Sequence, residues 1–372
     1  MIVFLLVGIM AAMLIFRLIY QRVWDKSLSV DFSINQPYAY AGDSIQLYEK
    51  IENRKRMPVS PVEVRFRTQR GMAFSDTNNT AVSDYVYKRD IYSILGNQRI
   101  TRSLRMDCRK RGIYSIEDVS VVTYSLLHDK LYQKKFETNV QIYVYPRRTN
   151  VSQILSKCEN LLGDKESNRK YLEDPFAFSS IREYTLQDPM KNINWKASAK
   201  TGGLMVNTFS SMHNERMMIY LDVEDSRIIK KENLIEESIS IAATLFQKLQ
   251  NKGTEVGICV NFYDDNRTVL YMPPSRKKGN RTRLEQALCA DLSNREIISF
   301  EKMFSTIYEE KSENENVIPL VISKNVSEDK VKAVEKYVKN MEKGLWIIPC
   351  DKDDNQTIST DRFSFIKREV RP

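Results

Sequence analysis

Carboxylates and hydroxyls placed directly after a buried strand are the residues here with the most obvious capacity for chemistry. Met217 to Leu221 reads as a continuous apolar strand, and it runs into Asp222-Val223-Glu224-Asp225-Ser226. A hard cation such as Mg²⁺ takes oxygen ligands of this kind, and ligands of open α/β sheets gather beyond the carboxyl ends of the strands. Asp222 and Ser226 are therefore candidate metal ligands, with Glu224 beside them; on the plainer reading they only hold loops. A later strand, Val317 to Ile322, ends in Ser323-Lys324-Asn325. Ser323 joins the same rim, and the Lys324 ammonium is expected to take a cation's place by pairing with Asp222 or Glu224.

A second charged group, Arg182, Glu183 and Asp188, lies upstream. Asp188 precedes Pro189, which suits the first position of a helix, so Asp188 is expected to cap a helix that Gly202-Gly203 stops. Ile193, Trp195, Ala197 and Ala199 would then supply packing area, and the charged trio would clip the segment to its neighbour. A different outcome is a hydrolase, which requires Asp222, Glu224 and Asp188 to converge in one cleft.

Other chemistries lack their residues. The two histidines, His128 and His213, have no spacing that suits zinc. Phosphate-cradling glycine loops, a nucleophile elbow and a dinucleotide fingerprint are all missing from a chain with 12 glycines. No catalytic residue is assigned and no cofactor is expected, Mg²⁺ being the one ion left open. The five cysteines are odd in number, far apart and free of Cys-x-x-Cys pairs, which reads as reduced, packed thiols. Asp264, Asp265 and Asn266 read as a hairpin turn, and the basic run from Arg276 to Arg283 as a solvated face or a contact for anionic lipid or an acidic partner.

At 372 residues the chain is long enough for two folded units. Its formal charge of +9 is dispersed, and no nucleic-acid module accompanies it, so a nucleic-acid partner is not expected. Met1 to Phe16 is unbroken apolar sequence, continued after Arg17 by Leu18, Ile19 and Tyr20. A helix of about 20 residues spans a hydrocarbon core of about 30 Å. No basic residue precedes the run, which favours an uncleaved anchor over a signal peptide. Arg17, Arg22 and Lys26 follow it, with Tyr20 and Trp24 as interfacial aromatics, and this places the bulk of the chain in the cytosol. Residues 1–24 are thus read as a transmembrane anchor. Residues 28–147, with short alternating runs and frequent turns, suggest an antiparallel, immunoglobulin-like β-sandwich in which Pro58 and Pro61 belong to an edge. Residues 148–215 form a connector, and 216–372 alternate apolar strands with helices, as in a Rossmann-type α/β domain.

Two stretches carry a family resemblance. Cys108-Arg109-Lys110-Arg111-Gly112-Ile113-Tyr114 resembles the Arg-Gly-x-Tyr strand pair of the bacterial domain-of-unknown-function 58 family. The run from Arg182 through Tyr184, Asp188, Ile193-Asn194-Trp195 and Ser198-Ala199-Lys200 is similar to that family's longer signature, with Gln187 where glycine is usual. The resemblance implies a membrane protein with a von Willebrand A-like carboxyl-terminal domain, often found beside a MoxR-type AAA ATPase. A working von Willebrand A metal site uses Asp-x-Ser-x-Ser, and Glu224 replaces its middle serine. The resulting expectation is a membrane-anchored protein-binding adaptor or assembly factor contacting its partner through Arg182, Glu183, Tyr184, Asp188, Asn194, Trp195 and the Asp222 rim. A hydrolase and a purely structural envelope scaffold are the alternatives, and the sequence leaves the oligomeric state open.

Overall fold

The computed structural model describes residues 2–125, 130–168, 178–186, 188–209, 216–225, 231–264, 266–277, 279–292, 295–310, 317–338, 343–351, 360 and 362–370. The chain divides into two compact units, Met1–Arg148 with Thr282–Arg295, and Thr149–Arg281 with Glu296–Pro372. The stretch expected as one domain at 216–372 therefore gives up Thr282–Arg295 to the first unit, and the expected connector falls within the second.

The first unit opens with helix α1 (Ile2–Val23), whose exposed apolar surface and length suffice to cross a membrane. Among the described residues twelve strands follow: β1 (Leu28–Ile34), β2 (Tyr38–Tyr40), β3 (Ser44–Asn53), β4 (Val59–Gln69), β5 (Met72–Phe74), β6 (Thr80–Val82), β7 (Tyr85–Ile94), β8 (Gln98–Cys108), β9 (Gly112–Ser115), β10 (Glu117–Tyr124), β11 (Leu131–Lys135) and β12 (Gln141–Tyr145). They form sheets ordered β1-β3-β8-β5, β11-β10-β4-β7-β6 and β2-β12-β9. Alternation builds the core: Ile45, Leu47 and Ile51 of β3 are buried with Val62, Val64 and Phe66 of β4 and Leu104 and Met106 of β8. The expectation that Pro61 marks an edge is corrected, because β4 lies between β10 and β7. The register slips between Val59 and Val62 on the β7 side, and this irregularity absorbs the missing amide.

One layer of this core is polar. Glu49 occupies an inward position of β3 and is 1% exposed, and Asp90 of β7 is 0% exposed. Tyr92 Oη donates to Glu49 Oε2 at 2.8 Å, and Arg102 donates to Asp90 Oδ1 at 2.8 Å. Glu49 Oε1 and Asp90 Oδ2, both buried, meet no donor among the described residues, and a proton on one of the two carboxyls would supply it. Burial, and then the Asp90 charge, push the Glu49 carboxyl up to about 8, so it holds that proton at neutral pH.

The Arg111-Gly-x-Tyr114 stretch has a structural task. Tyr114 Oη donates to Lys110 O at 2.8 Å, and its ring lies where a Cβ on Gly71 or Gly112 would stand, which explains glycine at both positions. Arg111 is buried and donates to Leu288 O at 2.5 Å and Ala290 O at 2.7 Å, holding Thr282–Arg295 within the first unit. Cys289 Sγ donates to Val144 O at 3.2 Å in the same contact. Replacing Arg111 with alanine is expected to cost about 2–4 kcal/mol, since charge-assisted bonds are lost and two carbonyls are left buried. Hydrogen exchange in β9 and in residues 284–289 would report it, and unchanged protection there would refute the assignment.

The second unit comprises α2 (Ser152–Asn168), β13 (Phe178–Glu183), α3 (Trp195–Thr201), β14 (Met205–Phe209), β15 (Arg216–Leu221), α4 (Glu232–Asn251), β16 (Glu255–Tyr263), β17 (Val269–Ser275), α6 (Phe300–Glu310), β18 (Ile318–Ile322), α7 (Glu328–Tyr337), β19 (Gly344–Cys350) and β20 (Phe363–Glu369), with α5 (Gly279–Cys289) crossing the boundary between the units. Strands β13 and β14 pair as an antiparallel hairpin. The main sheet is ordered β17-β16-β15-β18-β19-β20 and is parallel except at β17. Met218, Tyr220 and Trp346 bury one face against Phe300 and Phe304 of α6 and Val331 and Val334 of α7. Helix α4 takes no part in that cluster and lies against β15, β16 and β19, which leaves it the other face. Gly253, at φ +87°, stops α4. Strand β20 pairs parallel beside β19 at the edge of this sheet. All five cysteines are free and buried.

Candidate functional site

The carboxyl end of the six-stranded sheet is organised by Asp222, which leaves β15 with its amide bonded to Ile322 O of β18 at 2.9 Å. These two strands are neighbours from which the sheet is extended in opposite directions, the place where open α/β sheets form a crevice. Both oxygens of the buried carboxylate are doubly engaged. Oδ1 accepts from Glu224 N at 3.0 Å and Asn261 Nδ2 at 2.8 Å. Oδ2 accepts from Ser323 Oγ at 2.6 Å and Lys330 Nζ at 2.6 Å.

The expected cation substitute is thus a lysine, but a different one. Lys330 stands in the first turn of α7, where the Ser327 cap fixes the backbone and aims the side chain at Asp222. The buried ammonium of Lys324 pairs with Asp225 Oδ2 at 2.6 Å, and Asp225 also accepts from Lys231 N at 2.9 Å. Lys324 therefore locks the loop in place of reaching Asp222. Asn261, absent from the sequence-based candidates, is the hub of the site: its Oδ1 accepts from Val223 N at 2.7 Å and its Nδ2 also reaches Ile298 O at 3.1 Å. Its signal was a lone amide inside the apolar run Val256 to Tyr263.

A divalent cation does not fit this arrangement. The lone pairs of Asp222 are taken by four donors, one of them already cationic, and a metal would need them free. Among the described residues no three His, Cys, Asp or Glu side chains gather as a metal group. Glu224 contributes its amide, and Ser226 lies outside the described residues.

The signature segment forms a second constellation. Arg182 grips Asp188 in a two-pronged pair, at 2.7 Å and 2.6 Å, and Asp188 Oδ2 also accepts from Thr185 N at 2.8 Å and Thr185 Oγ1 at 2.9 Å. Hydrogen bonds from the Arg182 guanidinium, and next from the Thr185 amide, hold the Asp188 carboxyl well below the usual carboxylate range. Asp188 therefore closes a turn and caps no helix. The cap of α3 is Asn194, whose Oδ1 accepts from Ala197 N at 2.9 Å while its Nδ2 reaches Asn207 Oδ1 at 2.8 Å. Ser198 Oγ ties the helix to Met205 N at 2.8 Å, and Gly202, at φ +77°, ends it as expected.

Two expectations for this segment change. Trp195 supplies no packing area, being 69% exposed, and Glu183 joins the charged group only through its backbone oxygen, which accepts from Arg182 at 3.0 Å. Tyr184 bonds through its amide to Leu204 O at 2.9 Å. Asp188 and Asp222 share no bonding partner among the described residues, so the acid cluster that a hydrolase required is not assembled by the bonds found here. Asp264 accepts from Asn266 N and Thr268 N, forming the turn that the sequence suggested, while Gln187 and Asp265 lie outside the described residues.

Residues 180–337 match the family model described as protein of unknown function DUF58. That span is similar to the DUF58 family. The DUF58 match takes in both constellations, from the Arg182–Asp188 turn to Asp222, Asn261, Ser323 and Lys330. No curated protein matches the chain. Similar solved structures include a type II cohesin domain from the cellulosome of Acetivibrio cellulolyticus, at 9% identity over 32% of this chain and 95% of that one, with a TM-score of 0.23. A CARDB domain from Pyrococcus furiosus, in complex with di-metal ions, gives 10% identity over 32% and 91%, with a TM-score of 0.22. The sporulation control protein Spo0M of Bacillus subtilis gives 12% identity over 36% and 56%, with a TM-score of 0.19. Scores this low carry no argument about what this chain does.

Proposed function

We propose that this DUF58-like protein is a membrane-anchored, protein-binding adaptor, held by α1 with its two units on the cytosolic side. The basic residues Arg17, Arg22 and Lys26 at the end of α1 support that orientation. The strand order of the second unit's six-stranded sheet, with β17, its third strand in the sequence, antiparallel at the edge, supports a Rossmann-type, von Willebrand A-like reading. Its rim is satisfied internally by Lys330, which suits a platform for binding better than a catalytic or metal centre.

The observation that carries the proposal is the exposed apolar set on the signature segment. Leu186 is 97% exposed, Met190 73% and Trp195 69%, on a backbone fixed by the Arg182–Asp188 pair and the Asn194 and Ser198 bonds. Large apolar side chains on a rigid base are the usual anchors of a protein interface, tryptophan above all. The partner we favour is a MoxR-type AAA ATPase. With the full chain in detergent, Trp195→Ala is expected to weaken binding of the purified ATPase at least tenfold, about 1.4 kcal/mol or more, while the melting temperature stays put. Undiminished binding by Trp195→Ala combined with Leu186→Ser would sink the proposal.

A further inference from the structure

One side of α1 carries Ile9, Ala12, Met13, Phe16, Arg17 and Tyr20, residues that recur at helical spacing and face one way. Together with Ser125, just past β10, and Tyr132 of β11, they line a groove of about 500 Å³. The lining is graded. Ile9, Ala12, Met13 and Phe16 make one end apolar, and Arg17, Tyr20, Ser125 and Tyr132 bring a guanidinium and three hydroxyls to the other. Tyr132 is held by stacking on Trp24 at 5.8 Å and by Tyr20 at 6.2 Å, yet its buried hydroxyl has no hydrogen-bond partner among the described residues. A buried hydroxyl left so is costly unless something else completes it.

We infer that the groove binds one anionic phospholipid, its acyl chain along Ile9, Met13 and Phe16 and its phosphate at Arg17, with Tyr132 Oη donating to it. The inference rests on reading α1 as a membrane anchor. Three features favour this occupant. The wall is a membrane-length apolar helix, whose natural neighbours are acyl chains. From Ile9 to Arg17 the helix rises about 12 Å, within the depth of one leaflet of a core about 30 Å thick. Arginine at the polar end is matched in charge and geometry to a phosphate.

The test is native mass spectrometry of the full chain released from membranes into detergent, with phosphatidylglycerol or phosphatidylcholine added back. One phosphatidylglycerol per chain is expected, bound more tightly than phosphatidylcholine. Ala12→Trp, which fills the groove from an exposed position, should abolish it. Tyr132→Phe removes a hydroxyl that no described protein group uses, so a purely structural role would leave lipid binding unmoved; we expect weakening of about tenfold for Tyr132→Phe and for Arg17→Gln. Full lipid occupancy in Ala12→Trp, or equal binding of the two lipids, overturns the inference. So does a disulfide-linked dimer formed by Met13→Cys in native membranes, which would show a second copy's helix in the groove. Resistance of the chain to alkaline carbonate extraction tests the anchor separately: an extractable chain defeats that reading, whereas a resistant chain without bound lipid defeats only this one.

Discussion

Asp222→Ala should lower the unfolding free energy of the second unit by about 3–5 kcal/mol, the usual loss when one member of a buried ion pair is removed. Lys330 would keep its charge in a site with a single counter-ion gone, and the Ser323 hydroxyl and Asn261 amide would each lose an acceptor. The loss should appear as faster hydrogen exchange in β15 and β18 and as a lower urea midpoint. Adding Lys330→Met removes the stranded charge, so the double variant should recover part of the stability. A single variant costing less than about 1 kcal/mol would mean that the rim is held by packing alone.

The second large effect concerns pH. Glu49 ionises in the unfolded chain near its ordinary 4.5, but in the folded sandwich only near about 8. Its folded pKa is raised, so the stability it contributes is complete below about pH 4.5 and declines as the pH climbs to about 8. A single proton supports a slope of at most about 1.4 kcal/mol per pH unit, which over this window amounts to a loss of a few kcal/mol. Glu49→Gln should flatten the profile, because its amide can donate to Asp90 and its oxygen can accept from Tyr92 at every pH. At pH 8 that variant is expected to melt above the parent chain; equal slopes for the two would show that Glu49 does not carry the proton.

Periodicity made much of this architecture readable beforehand. The apolar strands Met217 to Leu221 and Val317 to Ile322, the amphipathic α4 and its glycine stop all have patterns that local chemistry determines. Pairings between distant segments do not. Nothing near Lys330 distinguishes it from Lys324, because the choice depends on where α7 begins relative to β15, a matter of tertiary placement. Trp195 looks like core by type, and only the Asn194 cap, which turns it outward, reveals otherwise. Glu49 and Asp90 sit at alternating inward positions that the sequence marks as apolar, so the polar layer is seen only once the two sheets face each other.

The attachment of Thr282–Arg295 to the sandwich bears on the order of events at the ribosome. Synthesis runs from the amino terminus, and domains commonly fold as they emerge. Here the sandwich is left incomplete when Arg148 appears: Arg111 waits for acceptors that are made more than a hundred residues later. The nascent sandwich therefore matures only after most of the second unit has been translated, and a fragment cut at Arg148 would retain that unfinished surface permanently.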